Sequence, residues 1–131
     1  MQVKDGQYPP NYAEIQRYLN PPKDAVFAYS ETLYNPSKQE IPEDVMVHEE
    51  VHAKQMQDWL PDSWWMKYLM DVSFRKSVET EAYSVQYRWV KDRVDSKTAK
   101  LCLTFLASNM TKLYNLDISN SQAETLIRKY A

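Results

Sequence analysis

Gly6 is the only glycine in a chain of 131 residues. A phosphate-binding loop needs several glycines so that backbone N–H groups can close on the anion, so P-loop and dinucleotide-binding chemistry are excluded. Cys102 is the only cysteine, which rules out an intramolecular disulfide and favours folding in a reducing compartment. Long apolar runs are missing as well. The longest apolar-rich stretch, residues 101–107, falls far short of the roughly 20 residues that span a bilayer. Sixteen Lys and Arg against eighteen Asp and Glu give a net charge of −2, too small for a general attraction to nucleic acid or anionic membrane. The first ten residues show no basic start followed by an apolar stretch, so no signal peptide is expected. These absences predict a soluble, cytoplasmic protein with neither nucleic acid nor membrane as a partner.

What is present suits one domain over residues 1–131, long enough to bury a single core without staples. Ten tyrosines, four tryptophans and three phenylalanines supply bulky core filling. Asn11 with Glu14 predicts a capping box opening a helix to Leu19, stopped by Pro21 and Pro22. Residues 25–29 and 32–34, rich in Val, Phe and Tyr around Ser30-Glu31, predict two short strands. Pro42, Glu43 and Asp44 suit the first turn of a helix running to about Trp59. Ser63 and Ser73 are expected caps of a short aromatic helix and of a long one reaching about Arg93. Another helix starts near Ser96 with Leu101, Cys102, Phe105 and Leu106 inward, then a loop over residues 111–120 and a last helix over 121–130. The expected fold class is α+β: helix-rich, with a two- or three-stranded sheet.

Both histidines of the chain lie in residues 48–52, which read His-Glu-Glu-Val-His. This is the H-E-x-x-H zinc signature: two imidazoles four residues apart share one face of a helix, and the glutamate after the first sits where it can act on a metal-bound water. At about 100° per residue, Val45, His48, Glu49, His52, Met56 and Trp59 share the core-facing side, where imidazole nitrogens need partners. A catalytic zinc takes three protein ligands and leaves one position open. With no third histidine, the remaining ligand is a carboxylate or Cys102. Glu79 and Glu81, in the middle of the longest expected helix, flank its apolar stripe of Val78, Ala82, Val85 and Trp89 on opposite sides. Helix geometry alone does not choose between them, although Tyr83 and Gln86 make the Glu79 flank the more polar one.

The motif at 48–52, followed by Glu79-x-x-Ala82, resembles the gluzincin metallopeptidases. It is similar above all to short phage and prophage proteins that combine an H-E-x-x-H-x-x-Q block, a Trp-Trp segment and an E-x-E-A-Y segment. Those elements stand here as residues 48–55, Trp64-Trp65 and residues 79–83, with Tyr34-Asn35-Pro36 and Leu113-Tyr114-Asn115 also alike. The resemblance implies a zinc ion held by His48, His52 and Glu79, with Glu49 as general base. It implies location in a bacterial host cytoplasm or a phage particle. Larger members use a further histidine to stabilise the transition state, and none remains here; Tyr114, Tyr83 and Arg88 are candidate substitutes, Tyr114 first.

The expected activity is zinc-dependent hydrolysis of peptide bonds in a peptide or protein, or alternatively in a peptidoglycan peptide. The strand near residues 32–34 is expected to align an extended substrate by edge pairing. A different class of function, a non-catalytic zinc-stabilised binding module or phage accessory protein, is the rival expectation.

Overall fold

A computed structural model describes all residues, 1–131. Six helices and a small three-stranded sheet make up an α+β fold. The strands are β1 (Gln2–Asp5), β2 (Phe27–Tyr29) and β3 (Thr32–Asn35); the helices are α1 (Tyr12–Tyr18), α2 (Glu43–Gln55), α3 (Pro61–Met70), α4 (Val72–Lys91), α5 (Ser96–Leu113) and α6 (Asn120–Tyr130). β2 and β3 form the expected hairpin, Tyr29 facing Thr32 across Ser30-Glu31. β1 is an addition that the sequence did not announce, and it lies parallel to β3. The sheet order is therefore β1-β3-β2. This corrects the expected role of residues 32–34: β3 is central, both its edges are taken, and the free edges belong to β1 and β2.

α4 is the axis of the molecule, with α2, α3, α5 and α6 all against it. Two apolar clusters lie along it. One joins Ile15, Phe27, Leu33, Met56, Trp64, Trp65, Tyr68 and Val78; the other joins Tyr83, Tyr87, Leu103, Leu106, Met110 and Ile127. Glu79 sits between Val78 of the first and Tyr83 of the second, and Tyr114 touches both clusters.

Several element ends differ from expectation for local reasons. Asn11 makes no capping bond, because its backbone (φ −100°, ψ 21°) is not in the extended conformation from which a cap side chain reaches back. α2 stops at Gln55, and Trp59 turns out to be more than one-third exposed. Pro61 forces the extended Leu60 before it and opens α3 itself, so Ser63 is not the cap. Asp71, accepting from the Phe74 N–H at 3.0 Å, caps α4 in place of Ser73. α5 continues to Leu113 and shortens the expected loop. Its inward face is Ala99, Leu103, Leu106, Ala107 and Met110, while Leu101 and Phe105 are about 65% exposed. Of the four residues expected inward, Leu106 is buried and Cys102 half-buried, and the stripe is displaced toward the small alanines, which allow close helix approach.

Leu33 is fully buried at the centre of the sheet. Leu33→Ala is expected to lower the unfolding free energy by about 2–5 kcal/mol in urea titration. A loss below about 1 kcal/mol would mean that the sheet is not wedged into the core.

Candidate metal centre

His48 and His52 lie one turn apart on α2, with their Nε2 atoms 3.2 Å from each other. From α4, Glu79 brings its Oε1 to 3.2 Å from the His48 Nε2 and 3.3 Å from the His52 Nε2. All three side chains are buried. Together they form a group able to hold a metal ion.

The outer nitrogens fix which atoms face inward. The His48 Nδ1 meets the Gln86 Oε1 at 2.9 Å, and the Gln86 amide nitrogen donates to Asp44 Oδ2 at 2.8 Å. The His52 Nδ1 meets the Gln55 Oε1 at 2.8 Å, and the Gln55 amide nitrogen donates to Val78 O at 3.0 Å and Glu81 Oε1 at 2.7 Å. Each glutamine has its nitrogen committed to an acceptor, so its oxygen faces the imidazole and can only accept. Each Nδ1 therefore carries a proton and donates it. That leaves each Nε2 with a lone pair directed at the shared point, the arrangement in which histidine binds metals. Glu79 Oε1 has no hydrogen-bond donor near it except these two nitrogens, which donate only when protonated. Its other oxygen accepts from the Tyr68 hydroxyl at 2.5 Å.

Two imidazole lone pairs and a carboxylate oxygen in a dry spot repel one another unless a cation lies between them. Without a metal the cation is a proton. Burial opposes charge on His52, but the Glu79 carboxylate beside it outweighs this and raises its pKa to about 9. Burial likewise opposes ionisation of Glu79, yet His52, with hydrogen bonds from both imidazoles, holds it well below the usual carboxylate range. In the metal-free protein the His52 charge thus contributes stability that is full below its ordinary value of 6.5 and lost as pH rises through about 9.

The donor set fits a divalent ion of the zinc type: two nitrogens and one carboxylate oxygen, second partners on every ligand, and space on one side. That space is an open pocket of about 490 Å³. Glu49 lines it, buried and without a hydrogen-bonding partner in the chain. Burial raises its pKa, the neighbouring histidines lower it in part, and the result is a carboxyl above its ordinary value. Trp64 lies edge-on to the His52 ring at 5.6 Å, and Tyr83 edge-on to the His48 ring at 4.4 Å. The Tyr83 and Tyr114 hydroxyls are 2.7 Å apart, and both residues line the pocket. Burial first, then the Glu79 charge, keeps both phenols protonated far above neutral pH.

The structure thus brings together His48, Glu49, His52, Glu79, Tyr83 and Tyr114. Glu81 is exposed and outside the group, where its carboxylate holds Gln55. Arg88 is exposed on α4 and does not line the pocket, and Cys102 lies on α5 outside the group. Sequence reasoning missed Tyr68, and it left Gln55 and Gln86 without roles. Both glutamines had a helical signal: Gln55 is three residues beyond His52, and Gln86 is seven beyond Glu79, two turns along the same face. Tyr68 had none, since only the fold of α3 against α4 brings it to Glu79. Comparisons with protein-family models, with curated proteins and with solved structures give no match for this chain.

At pH 7.5 zinc binding is expected to displace the His52 proton, releasing about one proton per ion. Calorimetric titration in buffers of different ionisation enthalpy measures this number. Release should fall toward zero above pH 9, and no release at pH 7.5 would place the proton elsewhere. Glu79→Ala should abolish tight binding while Glu81→Ala weakens it only modestly; the reverse would reassign the third ligand.

Proposed function

We propose that this protein is a zinc-dependent hydrolase of peptide bonds, a minimal relative of the gluzincin metallopeptidases with α2 as its active-site helix. The observation that carries this reading is the pairing of three converging metal donors with an unpartnered carboxylate, Glu49, on the wall of an open pocket. His48, His52 and Glu79 would hold the zinc, which supplies a water with its pKa lowered toward about 7 and polarises the carbonyl beside it. Glu49 takes one proton from the attacking water and delivers it to the leaving amide nitrogen as the C–N bond breaks. Its raised pKa suits both tasks, since a group that only accepted protons would not return them.

Tyr83 and Tyr114 take the place of the missing histidine. One hydroxyl donates to the other across 2.7 Å, so the pair keeps one free O–H for an oxygen in the pocket. Substrate alignment moves from residues 32–34 to the edge that leads into β2. There Trp65 and Asp62 hold Ala28 and Tyr29, whereas Val26, in the pocket wall, has neither its N–H nor its C=O bonded within the chain. An extended peptide can pair with Val26 beside the metal donors.

The pocket wall is mostly apolar, and apart from the two histidines of the metal group its charged side chains are Asp24, Asp44, Glu49 and Glu79, with no Lys or Arg. An apolar stretch of a protein substrate suits this wall better than an acidic peptidoglycan stem peptide. A purely structural zinc site, the binding-module alternative, has no use for an unpaired carboxylate beside an open pocket.

Glu49→Gln should keep zinc and fold while hydrolysis of a mixed peptide library falls on the order of 100- to 10,000-fold. A wild-type protein that holds one zinc yet cleaves nothing in the library supports the binding module instead. Tyr114→Phe removes only a hydroxyl and should lower turnover on the order of 100-fold with zinc content unchanged. Intact turnover in both Tyr114→Phe and Tyr83→Phe would remove the phenol pair from the mechanism.

A further inference from the structure

Arg75 is the one buried cation of the chain outside the metal group, and it has no carboxylate partner. Its guanidinium donates instead to four main-chain carbonyls. Nη1 reaches Tyr68 O at 2.7 Å and Leu69 O at 3.2 Å, in the last turn of α3. Nε reaches Tyr114 O at 2.7 Å and Nη2 reaches Asn115 O at 3.3 Å, at the end of α5. Both groups of carbonyls are the partly negative, unpaired ends of helices, where a cation is favoured. Asn115 stands at φ 53°, the left-handed conformation that asparagine tolerates just past a helix end.

Two of the four residues gripped at the backbone, Tyr68 and Tyr114, carry phenols that line the pocket of the metal group. Tyr68 donates to Glu79 Oε2, and Tyr114 pairs with Tyr83. The Arg75 guanidinium also lies 5.9 Å from the Tyr68 ring centre. We propose that Arg75 is a positioning residue of the metal centre: its planar fork ties the ends of α3 and α5 together and, through the Tyr68 phenol, sets the orientation of the Glu79 carboxylate. It touches neither the metal nor a substrate. The assignment rests on the metal reading but not on hydrolysis. A lysine at this position keeps the charge but loses the fork, so it cannot serve both helix ends at once.

The test is a double-mutant cycle on zinc affinity, read by competition with a chromophoric chelator, with the visible spectrum of the cobalt-loaded protein as a second readout. Tyr68→Phe and Arg75→Lys are each expected to weaken zinc about 10-fold, the size typical for partners of metal ligands. If Arg75 acts through Tyr68, the double variant is no weaker than the worse single one, and both single variants shift the cobalt bands alike. Multiplying losses, or a zinc affinity and cobalt spectrum unchanged in Arg75→Lys, would overturn the assignment. Arg75→Gln, which keeps a planar donor, is the second variant; if neither variant folds, Arg75 is a folding residue and the assignment fails. A wild-type chain that takes no zinc overturns the metal reading and this one with it, whereas multiplying losses in a zinc-binding chain strike only this one.

Discussion

Two imidazole nitrogens and a carboxylate oxygen, all removed from water and all within about one hydrogen-bond length of a common point, define the constraint that organises this molecule. Burying an ionised carboxylate without compensation costs several kcal/mol, and aiming two lone pairs at it adds repulsion. The crossing of α2 on α4 is therefore tolerable only with a positive charge at that point. A proton shared with His52 meets the need in part, which is why its pKa rises despite complete burial. A divalent ion meets it better, because it engages all three donors at once. The surrounding polar groups follow from the same constraint: Gln55 and Gln86 hold the outer imidazole nitrogens, and Tyr68 takes the outer carboxylate oxygen. Each of these second partners is itself anchored, by Val78 and Glu81, by Asp44, and by Arg75.

Charge balance gives an unpaired Glu49 a place beside the group. A divalent ion on one carboxylate and two neutral imidazoles would leave a local excess of about one positive charge, which the Glu49 carboxylate would offset. The occupied site would then be close to neutral. The phenols contribute neutral donors that bring no charge of their own.

The legible parts of the fold were those with local causes. The His-Glu-Glu-Val-His run, the helix beginning at Pro42, the 30–31 turn and the start of α5 near Ser96 all depend on residues within one helical turn or one hairpin. The pairing of Glu79 rather than Glu81 with the histidines was only half legible: its polar flank hinted at it, but the choice depends on how α4 rotates against α2. β1 was not legible because Gln2–Asp5 carries no alternating apolar pattern and is stabilised by pairing with β3, thirty residues away. The buried face of α5 was legible only at Leu106 and Cys102, because Ala99 and Ala107 contribute by being small, a signal that hydrophobic size hides. Arg75 illustrates the general limit, since charge suggests a surface and only tertiary geometry supplies four carbonyls to hold it inside.

A site assembled this way couples metal binding to the packing of the whole domain. Two ligands come from one helix at a spacing that any helix supplies, so the only long-range step is the docking of α4 against α2. The same docking buries Val78 and Tyr83 on either side of Glu79 and closes the two apolar clusters along the axis. Forming the site and forming the core are consequently one event. An ion that binds only the folded chain then stabilises the entire structure in proportion to the logarithm of its free concentration over its dissociation constant. In a chain of this length, with no disulfide and a core divided in two, a bound ion would give the buried polar group a structural return.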